Sequence, residues 1–262
     1  MRFEVTTLGT GAALPARGRY PSAQLVNISE RMHLVDCGEG TQERLRQAGV
    51  NFNRIGTVFI SHMHGDHYLG LMGLLSTMHL NGRLNELRVF GPPELREVID
   101  VQLRASRTYL RFPLSVQEVS HVSGALLYED PYTQVTTLAL DHRVPTTGFL
   151  FREKRQPRRL RRERLADIPH YERNAVKEGE DLRLPDGTVI ANAELTVDPP
   201  PPRSYAYCSD TAYAPQLVDH LRGVDLLYHE ATFTEAMADR AKEARHSTAK
   251  QAAMLAFPCA FF

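Results

Sequence analysis

Seven residues, Ser61-His62-Met63-His64-Gly65-Asp66-His67, constrain this chain more than any other stretch. They follow directly on the apolar run Thr57-Val58-Phe59-Ile60, which reads as a buried strand. Three imidazoles and a carboxylate fall within six residues, a density that ordinary surface does not carry. Side chains so crowded repel one another when protonated unless a cation organises them, and imidazole with carboxylate suits zinc. A polar turn that happens to be rich in histidine leaves the crowding unexplained. The fold must therefore present a strand end to a metal site.

Composition narrows the setting. At 262 residues the chain can bury a full core as one large domain or two small ones. Its 31 basic and 31 acidic residues cancel, so attraction to nucleic acid has to come from a local patch rather than from the whole molecule. Cys37, Cys208 and Cys259 are odd in number and far apart, which argues against a disulfide scaffold and against a Cys-x-x-Cys zinc finger. Cys208 reads as a small buried side chain. The N-terminus has no apolar signal core, and no run approaches the ~18 apolar residues of a membrane span. The expectation is a soluble, cytoplasmic protein with no membrane partner.

Along the chain, residues 1–8 read as a strand that breaks at Gly9-Thr10-Gly11, and Ala23 to Val26 and Met32 to Val35 as two strands with a turn from Asn27 to Glu30. The glycines of Asp36-Cys37-Gly38-Glu39-Gly40-Thr41 permit a tight exit into a helix over 42–47, which places Asp36 beside the ligand loop. Two glycines before a helix are weak grounds for a phosphate cradle. The spacing predicts one helix from Tyr68 to Leu80, with Met72 and Met78 in the core and His79 structural. Strands are expected over 87–90, 114–119 and 134–140, a helix after Gly91-Pro92-Pro93, and a turn from Val144 to Phe149 leading into Leu150-Phe151. Further strands are expected over 204–207 and 224–228, a helix over 217–221, and a last helix capped by Ser247 or Thr248. His62, His64, His142, Asp210 and His229 each follow a predicted strand, and in layered α/β folds ligands collect beyond the carboxyl ends of strands. That many His and Asp side chains exceed what one tetrahedral zinc needs, so two metal ions are the economical reading.

The His-x-His-x-Asp-His loop, the later His142 and the Asp of Ser209-Asp210-Thr211 resemble the metallo-β-lactamase superfamily, which implies an α/β fold, an αβ/βα four-layer sandwich. Asp141-His142-Arg143-Val144-Pro145-Thr146-Thr147-Gly148-Phe149, His229-Glu230-Ala231-Thr232-Phe233 and His246-Ser247-Thr248 are similar to the motifs of a narrower family, ribonuclease Z, the endonucleases that remove 3′ trailers from precursor tRNA. With Leu8-Gly9-Thr10-Gly11 and the Asp36 to Thr41 stretch, the resemblance runs from residue 1 to about 255. It implies two Zn2+ per chain, with Mn2+ an alternative. One ion takes His62, His64 and His142; the other takes Asp66 and His67, and Asp210 bridges them. It further implies attack by a metal-activated hydroxide, Asp66 as general base and His246 assisting at the scissile phosphate or leaving oxygen. His229, Glu230, Ser247 and Thr248 would stand behind the ligands or on the phosphate side. Products would be a tRNA 3′-hydroxyl and a 5′-phosphorylated trailer.

The organisation expected is a single domain over 1–262 with an insertion at 152–203. From Arg152 to Arg164 there are eight Arg or Lys against two Glu, and the segment ends in a proline run. Such a run is most often a solvated face. Under the resemblance it becomes an arm that grips precursor tRNA by shape, through Arg155, Arg158, Arg159, Arg161 and Arg162. The Gly-x-Pro motif of many such arms is absent; Glu172 to Lys177 stands roughly in its place. The family also continues beyond the last helix to a strand ending in a further histidine ligand, whereas here the sequence runs out at Phe257-Pro258-Cys259-Ala260-Phe261-Phe262. The expectation is a fold without its C-terminal strand and helix and a weaker second metal site. The resemblance also implies a homodimer. Competing readings are another hydrolase of the superfamily, a cyclic-nucleotide phosphodiesterase or arylsulfatase, and a catalytically weakened RNA-binding homologue.

Overall fold

A computed structural model describes residues 2–14, 16 and 18–259; the chain end at 260–262, on which the expectation of a missing strand bears, lies outside the described residues. The chain divides into two compact units, Met1–Arg152 with Ser204–Phe262, and Glu153–Arg203.

In the larger unit a six-stranded sheet runs in sequence order: β1 (Phe3–Gly9), β2 (Ala23–Ile28), β3 (Arg31–Val35), β4 (Ile55–Phe59), β5 (Leu87–Gly91) and β6 (Leu114–Glu118). Strands β1 to β3 are antiparallel, and the β2–β3 turn is tighter than expected. Both strands extend to a two-residue turn at Ser29 and Glu30, with φ of 51° and 65°. Such left-handed two-residue turns match the twist of paired strands. From β3 to β6 the pairing is parallel, so the carboxyl ends of these strands share one edge. Helices α1 (Thr41–Gln47), α2 (Gly65–Tyr68), α3 (Leu71–Leu80) and α4 (Glu94–Ala105) connect them. In α4, Leu95 and Ile99 recur one turn apart and are buried, while its charged residues face outward.

The second sheet contains β7 (Leu126–Glu129), β8 (Thr133–Leu140) and β9 (Thr146–Glu153). After the smaller unit come β14 (Ser204–Cys208) and β15 (Leu226–His229), giving the order β15-β14-β9-β8-β7. A seam of Val26, Val35, Phe59, Phe90, Val135, Phe149, Phe151, Tyr205 and Tyr207 joins the inner faces of the two sheets. Leu45, Leu74, Leu75, Leu95 and Ile99 cover the outer face of the first with helices, and Leu217, Leu221 and Leu255 that of the second. The layers are helix, sheet, sheet, helix. The helices on the second sheet include α7 (Val218–Leu221) and α9 (Ala249–Ala256); α8 (Ala238–Ala244) precedes α9.

Three expectations need correction. The single helix over 68–80 is two helices, because Gly70 packs its backbone against Cys37 and Gly38. Its N–H donates to the Cys37 carbonyl at 2.9 Å, and a Cβ there would sit 2.2 Å from the Gly38 carbonyl oxygen. The turn expected over 144–149 yields to β9 at Thr146, where buried β-branched threonines extend the chain. Strand β7 and helix α8 were not anticipated; β7 is a short edge strand, and α8 buries only Ala241.

The smaller unit has its own core of Ile168, Val176, Leu182 and Leu195. Around it lie short strand pairs β10 (Arg159–Leu160) with β13 (Thr196–Val197) and β11 (Leu182–Arg183) with β12 (Val189–Ile190). Helices α5 (Arg173–Glu178) and α6 (Asn192–Leu195) complete it, with α5 covering most of the stretch where a Gly-x-Pro motif was sought. Among the described residues, no helix is long and apolar enough to cross a membrane.

Candidate metal centre

The shared strand edge assembles the candidate ligands. His62 follows β4, Asp66 and His67 lie on α2, His142 follows β8 and Asp210 follows β14. One ligand atom from each of His62, His64, His142 and Asp210 lies within 4.8 Å of the others. His62 Nε2 is 3.0 Å from His64 Nδ1, which is 3.3 Å from His142 Nε2. Asp210 divides its carboxylate. Oδ2 lies 3.7 Å from His62 Nε2 and 3.9 Å from His142 Nε2, while Oδ1 lies 3.7 Å from His67 Nε2. Asp66 Oδ2 approaches the same His67 nitrogen at 3.6 Å. The predicted ligands thus fall into two groups that share Asp210.

The far sides of the His62, His67 and His142 rings are held in a way that fits a bound cation. His142 Nδ1–H donates to the Arg245 carbonyl at 2.8 Å, and His67 Nδ1–H to Asp36 Oδ2 at 2.7 Å, so both Nε2 atoms are the ones left toward the cluster. Ser61 Oγ stands 3.0 Å from His62 Nδ1 and donates to Asp36 Oδ2 at 2.9 Å. Burial, then the neighbouring imidazoles, holds His62 far below the ordinary histidine range; burial also lowers His64, and lowers His142 to about 4. The downward shifts favour neutral rings, and their nitrogen atoms stand in near contact. Burial alone would lower His67, but Asp36, Asp210 and Asp66 outweigh it and raise it to about 9, and burial raises Asp210 to about 6. Converging ring nitrogens beside buried carboxylates are what a divalent ion needs, since it would displace the His67 proton, and the donor set of imidazole and carboxylate suits zinc.

The remaining predicted residues divide. His246 stands against His142, ring centroids 4.8 Å apart, and its Nδ1 bonds Glu230 Oε1 at 2.9 Å, which raises its affinity for a proton despite burial. Glu230 is a hub: it accepts from the Thr211 and Ser247 N–H groups on Oε1 and from Thr232 N–H and Oγ on Oε2. Ser247 and Thr248 are buried and bond inward. Ser247 Oγ donates to the Thr211 carbonyl at 2.8 Å, and Thr248 caps α9 in a reciprocal pair with Gln251. His229 ends β15 and donates from Nδ1 to the Glu230 carbonyl at 2.7 Å; among the described residues it hydrogen-bonds no candidate ligand. In the smaller unit Arg158 is tied to Asp198 and Thr196, Arg155 approaches Asp198 at 3.8 Å, and Arg161 reaches the Ala193 carbonyl. Arg159 and Arg162 are exposed, and no hydrogen bond or ion pair engages their side chains among the described residues.

Three supports escaped the sequence reading: Ser61, Tyr207 and Arg245. Tyr207 donates to Asp36 from the opposite sheet at 2.7 Å. Arg245 takes a left-handed conformation, φ 55°, from which its carbonyl meets His142. Nothing local in the sequence marks either, since the partners lie 171 and 103 positions away.

A family described as anti-Pycsar protein Apyc1 matches residues 3–122, a span that holds the ligand loop but neither His142, Asp210 nor the 246–248 motif. The short-form human tRNase Z has a crystal structure similar to this one, with a TM-score of 0.71 and 29% identity over 97% of this chain and 88% of that one. A long-form yeast RNase Z shares the fold at a TM-score of 0.69 and 16% identity, covering 98% of this chain and 36% of its own. Ribonuclease Z of Bacteroides fragilis is 45% identical over 257 residues, 97% of this chain and 84% of the relative. That alignment takes in both ligand groups and the Glu230–His246 pair, and on its strength the chain belongs to the ribonuclease Z family, built on the metallo-β-lactamase fold.

Proposed function

We propose that this chain is a zinc-dependent endoribonuclease that removes the 3′ trailer from precursor tRNA. The observation that carries the reading is the Asp210 carboxylate, whose two oxygens face two separate groups of candidate ligands beside the Glu230-bound His246. His62, His64 and His142 would hold one ion, Asp66 and His67 the other, with Asp210 between them. Bound there, the ions would supply Lewis acidity to a phosphate and a water acidic enough to ionise near neutral pH.

The chain's own groups do the rest. Asp66 accepts the proton of the attacking water at its carboxylate. Water oxygen bonds to phosphorus as the bond from phosphorus to the 3′-oxygen breaks. His246, with Nδ1 fixed by Glu230, returns a proton from Nε2 to that leaving oxygen. The products are a tRNA 3′-hydroxyl and a trailer with a 5′-phosphate. The 153–203 unit would hold tRNA phosphates through the uncommitted Arg159 and Arg162 of the basic 152–164 stretch, and a second copy of the chain would form a homodimer that works in the cytoplasm. The test is cleavage of a 3′-extended precursor tRNA with added zinc or manganese, beside Asp66→Ala. A single cut at the trailer boundary that the variant loses while staying folded supports the reading; no cut of any precursor overturns it.

A further inference from the structure

A cavity of about 660 Å3 opens directly beside the ligand cluster, inside the ~300–1,000 Å3 range of small-ligand sites. His64, His142 and His246 line it, together with Arg143, Phe233 and Arg240. The ring of Phe233 is half-buried, edge-on to His246 with centroids 6.0 Å apart. Its backbone is pinned at both sides, since its N–H donates to the Ser247 carbonyl and its carbonyl accepts from Ala249 N–H at the start of α9. Arg143 and Arg240 are exposed, and among the described residues neither side chain has a hydrogen-bond or ion-pair partner. Many other arginines here are committed, as Arg44, Arg83 and Arg96 are to carbonyls. Arg143 follows a candidate ligand in sequence, and its charge bears on both His64 and His246. Asp239 and Glu243, one turn apart on α8, complete the lining. An aromatic face, two free cations and two carboxylates match the parts of a nucleotide: base, phosphate, and amino or hydroxyl donors.

We propose that this cavity receives the last nucleotide of the mature RNA, its base against Phe233 and its phosphate on Arg143 and Arg240. The assignment rests on the proposed function. With His246 at the cavity wall as donor to the leaving 3′-oxygen, the nucleoside bearing that oxygen lies on His246's side of the cluster. A second cavity of about 700 Å3, lined by Met63, Val119, Val144 and Pro145, carries Glu94 and Glu118 but no Lys or Arg, so it is ill suited to a phosphate.

The test measures kcat/KM for an intact precursor tRNA and for one lacking the base at the last mature position, with the wild type, Phe233→Ala and Phe233→Tyr. Base–aromatic stacking predicts a loss of about 5- to 150-fold on removing the base for the wild type. Phe233→Ala should lose a similar factor on the intact substrate and nothing further on the abasic one, while Phe233→Tyr restores the difference. Zinc content should be equal in all three proteins, because the candidate ligands are untouched. Arg240→Gln should raise KM more than it lowers kcat. Equal cutting of both substrates by the wild type, or the same loss on base removal in Phe233→Ala as in wild type, overturns the assignment. So does a loss that appears only when the base is removed from the first trailer position. Failure of the wild type to cut any precursor brings down the activity itself, a distinct result.

Discussion

Asp36→Asn should weaken one metal position and spare the other. Asp36 is fully buried after β3 in a left-handed conformation, φ 54°, which asparagine tolerates. Its carboxylate accepts from Ser61 N–H at 2.8 Å, Ser61 Oγ at 2.9 Å, His67 Nδ1–H at 2.7 Å and the Tyr207 hydroxyl at 2.7 Å. Asparagine keeps the shape but sets an NH2 against these donors in either orientation. With NH2 toward His67, the ring can respond by accepting at Nδ1, which moves its proton to Nε2, where the ion should bind. Loss of such a supporting partner weakens metal binding about 10- to 100-fold, or about 1.4–2.7 kcal/mol. The group of His62, His64 and His142 has no direct bond to Asp36 and should change far less. Folding stability should fall by about 1–3 kcal/mol as buried donors lose an acceptor. Zinc titration against a chromophoric chelator, with urea melts of the metal-free protein alongside, reads both effects. Two binding steps weakened equally, or neither weakened, would refute the tautomer argument.

Four further outcomes follow from the structure. Burial holds His33 down to about 4, with its Nδ1 on Thr57, whereas an unfolded chain protonates it near 6.5; the unfolded state alone takes up the proton between these values, so stability is lost as pH falls from about 6.5 to 4. The loss should approach 3 kcal/mol, and His33→Leu should flatten that part of a urea-melt profile; an unchanged profile counts against it. Gly70→Ala should destabilise by about 1–3 kcal/mol, since its Cβ meets the Gly38 carbonyl, and a wild-type melting curve would show that the α2–α3 join yields freely. Replacing Arg159 and Arg162 by Gln should lower the slope of log affinity for tRNA against log salt by about 1–2. Arg158→Gln should instead loosen the smaller unit, seen as faster proteolysis within 153–203, because it frees Asp198 and Thr196.

The sequence made the ligand loop legible because its chemistry is compressed into six residues, and strand ends could be located from apolar runs such as Thr57 to Ile60. Helix α9 was legible for a similar reason: a capping hydroxyl, Ser247 or Thr248, stands directly before the run that opens at Ala249. The Gln251 that completes the capping box stands three residues after Thr248 and so marks Thr248 rather than Ser247, whose Oγ the fold engages with the Thr211 carbonyl. Tyr207 and Arg245 act over long sequence separations and carry no local mark. Strand β7 and helix α8 bury too little to leave a periodic signature, and the four apolar core residues of the smaller unit are scattered through polar sequence. What pattern reading recovers is chemistry close in sequence; what it misses is contact across the seam between sheets.

That seam gives the centre a mechanical meaning. His62, His64, Asp66 and His67 extend from the six-stranded sheet, His142 and Asp210 from the other, so an ion in their midst would clasp two halves that otherwise meet through an apolar seam and a few buried hydrogen bonds such as Tyr207 to Asp36. A ligand that binds only the native form at 100 times its dissociation constant adds about 2.7 kcal/mol to folding stability. Chelation would therefore loosen the whole sandwich as well as silence the site, and a chain whose sheets had docked out of register could not retain its ions. Occupancy would double as an assembly check, since a centre built from both sheets would fill only in a molecule that has closed correctly.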